Sequence, residues 1–127
     1  MIALYSKYEN RRVSRHLNLS EIRCKCTYAH CRHTIVVDVT MNSFERLRML
    51  CGDVPLYVLS GHRCSQHNYN VEGVALSQHI LGLALDIKKP KRMKWKQFIS
   101  LCEQAGFSVV IAYFEQGFAH CDNRGAI

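Results

Sequence analysis

The segment Ser77-Gln78-His79-Ile80-Leu81-Gly82-Leu83-Ala84-Leu85-Asp86-Ile87 places a histidine and a carboxylate seven residues apart around an apolar stretch. The two side chains can act together only if the chain bends between them. Gly82 permits that bend and a close backbone approach. On the strand expected after it, Leu83, Leu85 and Ile87 share one face, and Ala84, Asp86 and Lys88 share the other. Asp86 is thereby presented away from the apolar face, towards a cleft. A second histidine, His120, lies in Gly117-Phe118-Ala119-His120-Cys121-Asp122. If that stretch pairs beside the strand of Asp86, His120 meets Asp86. Two imidazoles and one carboxylate form a zinc donor set with a fourth position open for water.

Other elements follow from periodicity and punctuation. Residues 1–20 are polar and basic and read as a loosely packed N-terminal segment, with Asn18 or Ser20 able to start a turn of helix. Residues 23–34 read as a tight loop. Thr40–Cys51 is helical, with Met41, Phe44, Leu47 and Leu50 on one face. Asn42 or Ser43 can cap its start, and Gly52 its end. Val54–Ser60 reads as a strand, Cys64–Tyr69 as a short helix, Gly82–Lys88 as a strand and Lys94–Ala105 as a helix. Phe107–Tyr113 and Gly117–Cys121 form a hairpin with Glu115-Gln116 at its turn. The mixture lacks a regular βαβ rhythm, so the fold class is α+β, with a central antiparallel sheet flanked by helices. With 127 residues, one domain over 1–127 is expected.

The chain holds seven cysteines, an odd number that excludes complete internal pairing. Cys51 and Cys102 fall on apolar helix faces and Cys121 on the face opposite His120, so all three read as core. Cys24, Cys26 and Cys31, with His30 or His33, offer the donors of a second, structural zinc site; reduced thiols or a labile disulfide are the competing reading. No apolar run reaches the ~20 residues of a membrane helix. The N-terminus lacks the pattern of a secretory signal, so the chain is expected to be made in a cytoplasm. A net charge of +7, with six basic residues between Lys88 and Lys96, suits an anionic partner such as wall polymer or nucleic acid. No nucleic-acid-binding signature accompanies that charge, so nucleic acid is not the expected partner. A monomer is favoured.

Taken together, Ser60-Gly61-His62-Arg63, Asn68, Glu72-Gly73, Ser77-Gln78-His79-x2-Gly82-x-Ala84-x-Asp86 and Gly117-Phe118-x-His120-x-Asp122 resemble the zinc D-Ala-D-Ala carboxypeptidase family of peptidoglycan peptidases. That family shares its fold with the hedgehog signalling domain. Leu19-Ser20-Glu21-Ile22-x-Cys24-x-Cys26 is similar to its small, phage-associated branch. The resemblance covers about residues 17 to 125 and implies that His79, Asp86 and His120 bind zinc. Arg63 would hold substrate or a developing oxyanion, and Ser77 would contact substrate or orient the site. It leaves the general base open, because Gly117 stands where some relatives carry an acid. Asp122, as base or as a partner of His120, and Glu115 are the candidates. His62, Glu72 and Cys121 depart from the family pattern without removing a proposed ligand.

The implied function is hydrolysis of peptidoglycan stem peptides at the bacterial cell wall, first as a D-Ala-D-Ala carboxypeptidase, with Zn2+ as cofactor. An L,D- or D,D-endopeptidase of endolysin type and a non-catalytic, zinc-containing wall- or protein-binding module are the alternatives. A basic nucleic-acid binder stapled by zinc at Cys24–His33 is a third class.

Overall fold

The computed structural model describes residues 1–74 and 76–127. The chain begins with strands β1 (Ile2–Ser6), β2 (Arg12–Ser14) and β3 (Leu17–Asn18), then a one-turn helix α1 (Leu19–Ile22). Strand β4 (His33–Val37) runs directly into helix α2 (Asp38–Leu50), followed by strand β5 (Val58–Ser60) and helix α3 (Ser65–Asn70). Strand β6 (Ala84–Lys88), helix α4 (Trp95–Gln104) and strands β7 (Val109–Tyr113) and β8 (Phe118–Asp122) complete it. Among the described residues the architecture is mixed α/β, with antiparallel sheets and four helices.

The main sheet has the order β5-β6-β8-β7. The late hairpin expected from sequence is present, and β8 pairs with β6 on its other side. In that register Asp86 faces His120 and Leu85 faces Cys121. Side-chain alternation then divides the sheet. Leu85, Ile87, Ala119 and Cys121 join Phe44 and Leu47 of α2 and Phe98 and Cys102 of α4 in the core. Asp86 and His120 are left for the opposite face. Cys102 and Cys121 are buried core thiols, while Cys51 is half-buried and packs against that core.

The N-terminal segment is not loosely packed. Strand β1 pairs along its whole length with β4, β2 pairs with β3, and Leu17 and Leu19 are fully buried. The loop expected over 23–34 accordingly ends at His33, where the β-branched run Thr34-Ile35-Val36-Val37 favours a strand. Asn18 does start α1: Ser20 N–H donates to Asn18 Oδ1 at 3.1 Å and Asn18 N–H donates to Glu21 Oε2 at 2.8 Å, a reciprocal cap.

Helix α2 starts before the caps expected at Asn42 or Ser43. Val37 is its N-cap without a side-chain bond. Asp38 in the first turn complements the helix dipole and pairs with the N-terminal ammonium at 2.8 Å. Strand β5 is shorter than the expected Val54–Ser60. Pro55 fixes its own φ and lacks an amide donor, which disfavours sheet pairing at that end.

Two glycines set close approaches behind the sheet. Gly82 has φ +76°, and a Cβ there would lie 3.0 Å from Ile35 Cγ2 and 3.2 Å from Ile35 O. Thr40 Oγ1–H donates to Gly82 O at 2.9 Å, tying the bend to α2. At Gly61 a Cβ would lie 2.5 Å from Ile22 O, so only glycine lets the end of β5 pass against α1.

Candidate metal and active site

Asp86 on β6, His120 on β8 and His79 on the turn before Gly82 bring three donor atoms within 4.8 Å of one another. His79 Nε2 lies 3.1 Å and His120 Nδ1 3.2 Å from the same Asp86 Oδ1. The two rings meet edge-on, with centroids 5.1 Å apart. His79 and Asp86 are buried and His120 is half-buried.

The far nitrogens decide which ring atoms are free. His79 Nδ1 lies 2.7 Å from Gly61 O, a group that only accepts, so Nδ1 carries the proton. His120 Nε2 lies 2.7 Å from Asp122 Oδ2, so there Nε2 is the donor. In the neutral rings, His79 Nε2 and His120 Nδ1 are left as lone pairs aimed at a carboxylate oxygen. Three mutually facing acceptors repel unless a cation stands among them.

Burial works against charge on Asp86, yet where protons rather than a metal lie between the groups, those shared with His120 and His79 bring its pKa down to about 2. Burial likewise opposes a proton on His120, but Asp86 and Asp122 outweigh it and raise that pKa. The donor set fits zinc: N/O ligands at about 2.0–2.2 Å in a tetrahedron are about 3.4 Å apart, close to the distances seen.

Around the donors runs a cleft of about 470 Å³. Arg63 on its wall is fixed three ways. Its Nε–H donates to Ser60 Oγ at 3.1 Å, Nη1–H to Asn68 Oδ1 at 3.1 Å and Nη2–H to Asp86 Oδ2 at 3.3 Å. Ser77, also on the wall and buried, accepts the His79 N–H through Oγ at 3.2 Å. His62 is buried with its Nδ1 2.7 Å from Thr34 Oγ1. Burial pushes its pKa down to about 4, so it is a neutral tie behind Arg63.

A sequence model of the peptidase M15 family matches residues 15–122. The chain belongs to the peptidase M15 family. M15 peptidases are zinc-dependent metallopeptidases, which accords with the donor chemistry of His79, Asp86 and His120. No curated protein matches the chain in sequence.

Within this M15 peptidase, the two acids considered as base occupy different surroundings. Asp122 is fully buried and accepts from His120 and from Arg124, whose Nη2–H is 2.8 Å away. Burial opposes its charge, but Arg124 and His120 hold its pKa below the ordinary carboxylate value. Glu115 is exposed on the β7–β8 turn, outside the residues that line the cleft. Glu72, an acid not considered as base from sequence, also lines the cleft, with φ +58°. Its one signal in the sequence was its departure from the family pattern.

The second cysteine cluster also differs from expectation. Cys24, Cys26 and Cys31 do converge, but their fourth partner is Cys64. His30 is exposed and stacks on Tyr28, and His33 is exposed on β4. Cys64 arrives because β5 leads its chain past α1, where Cys64 N–H donates to Cys24 Sγ at 3.2 Å. Cys64 packs into this cluster and caps α3 through a 3.4 Å bond from His67 N–H.

The basic residues from Lys88 to Lys96 are not among those that line the cleft of the donors. Lys89 Nζ donates to the carbonyls of Pro90 and Met93 and so folds the loop before α4. No helix among the described residues is long and apolar enough to cross a membrane.

Proposed function

We propose that this M15 peptidase hydrolyses peptidoglycan stem peptides as a D-Ala-D-Ala carboxypeptidase, in one domain over residues 1–127 with the hedgehog-like fold. His79 Nε2, Asp86 Oδ1 and His120 Nδ1 are its zinc donors. The observation that carries the reading is the pair of imidazole nitrogens, at 3.1 and 3.2 Å, converging on one carboxylate oxygen. When bound, zinc supplies Lewis acidity, polarising a carbonyl and acidifying water near neutral pH.

The chain's own residues do the rest. Arg63 and Arg124 line the same cleft, paired with Asp86 and Asp122, and their remaining N–H donors suit the free carboxylate of a terminal residue. That charge favours removal of a C-terminal D-Ala over an internal cut. Arg63 is already held by Ser60 and Asn68, so it stabilises developing negative charge with little reorganisation. Ser77 fixes the backbone that carries His79.

Asp122 holds the His120 tautomer and orients the ring; it is a positioning residue rather than the base. Glu72, exposed on the cleft wall, takes the proton from the attacking water and returns it to the departing amine as the C–N bond breaks. Glu115 takes no part. We place the enzyme in the small phage-associated branch, acting at the bacterial wall, on the strength of the Leu19–Cys26 motif and its basic charge.

A stem pentapeptide ending in D-Ala-D-Ala, followed by mass spectrometry, tests this. The wild type is expected to release one alanine, and Glu72→Gln to lose about 100-fold or more in kcat while keeping its zinc. An internal cut would assign an endopeptidase. Retained zinc and peptide binding without any cleavage would assign a binding module.

A further inference from the structure

We infer that Cys24, Cys26, Cys31 and Cys64 bind a second zinc ion in a closed tetrathiolate site, with Lys7 as its buried counter-cation. The four Sγ atoms all lie within 4.8 Å of one another, and Cys26 Sγ is 3.8 Å from Cys64 Sγ. A zinc tetrathiolate with Zn–S of about 2.3 Å has S···S edges of about 3.8 Å. Three of the four cysteines are buried, as a structural site without an open position requires.

Lys7 is the independent sign that the cluster carries negative charge. It is only 1% exposed, and its Nζ donates to Cys26 O at 2.9 Å, Cys26 Sγ at 3.3 Å and Cys31 Sγ at 3.4 Å. None of these acceptors is a carboxylate. A buried ammonium is costly unless an anion compensates it. Four neutral thiols supply none, whereas one zinc and four thiolates carry a net charge of −2, which Lys7 halves. Backbone amides add to the same pattern: Cys64 N–H reaches Cys24 Sγ and His67 N–H reaches Cys64 Sγ.

The site joins three parts of the chain. Lys7 follows β1, the first three cysteines form the loop after α1, and Cys64 precedes α3 as its N-cap. Cys64 is also the residue after Arg63, so the ion would anchor the segment that carries the cleft's guanidinium. This last consequence rests on the active-site reading above; the metal site does not.

The test uses the full chain with His79→Ala and His120→Ala combined, which removes the first donor set and leaves the thiols. One zinc per chain is expected to remain, with an X-ray absorption shell of four sulfurs at about 2.3 Å. An organomercurial should release it as four thiols react. Lys7→Met, made in the wild type, should retain the sulfur-bound zinc about 10–100-fold more weakly against a chelator. A variant free of zinc, a shell of nitrogen and oxygen only, or disulfides among these cysteines would overturn the proposal. Failure of the wild type to cleave stem peptides would count against the active-site reading alone.

Discussion

At the scale of single residues, the tautomer of each neutral imidazole follows from what its far nitrogen touches. Gly61 O fixes His79 and Asp122 fixes His120, so both near nitrogens are free to ligate. Asp122→Asn separates the two roles considered for this acid. As a positioning residue its loss should weaken zinc binding about 10–100-fold, measured by chelator competition. A fall in kcat with zinc affinity unchanged would instead make Asp122 the base. The convergence of His79, Asp86 and His120 was legible in the sequence, because strand alternation and the bend at Gly82 suffice to bring them together. The acid proposed as base was not, since sequence neighbours of His120 drew attention while Glu72 lines the cleft from another turn. Lys7 had no sequence signal, because its partners lie in a loop about 20 residues on.

At the scale of elements, the N-terminal hairpin is clasped to α2 by one carboxylate. Glu45 accepts from Ser14 Oγ–H and from His16 N–H at 2.8 Å, and its Oε1 lies 2.6 Å from His16 Nδ1. Burial opposes its charge, but these partners outweigh it and lower its pKa. A depressed folded-state pKa gives stability that is present above the unfolded value of about 4.3 and is lost as pH falls through the folded value. Glu45→Gln should therefore cost about 1–3 kcal/mol at pH 7, with the gap closing in acid below that range. Denaturant titrations at the two pH values measure it. This clasp explains why residues 1–20, polar and basic in composition, are nonetheless packed. Their order comes from long-range pairing with β4 and contact with α2, which local composition does not encode.

At the scale of the whole molecule, the sheet is a partition. One face builds the core with α2 and α4; the other presents Asp86 and His120 to a cleft bordered by Arg63 and Glu72. The late hairpin and α4 were readable from period and turn residues. The β1–β4 pair was not, although Thr34–Val37 is a β-branched run, because neighbouring cysteines and histidines marked the region as a metal loop. The same loop concealed the identity of its fourth partner, Cys64, which is 33 residues beyond Cys31 and joins only through the fold.

Zinc content measured beside stem-peptide cleavage, in the wild type and in Asp86→Ala, tests whether one zinc held by His79, Asp86 and His120 carries out peptide hydrolysis. Asp86→Ala is expected to lose one zinc per chain and all measurable cleavage while staying folded by circular dichroism. Unchanged zinc content, or cleavage that persists after this substitution, would contradict it.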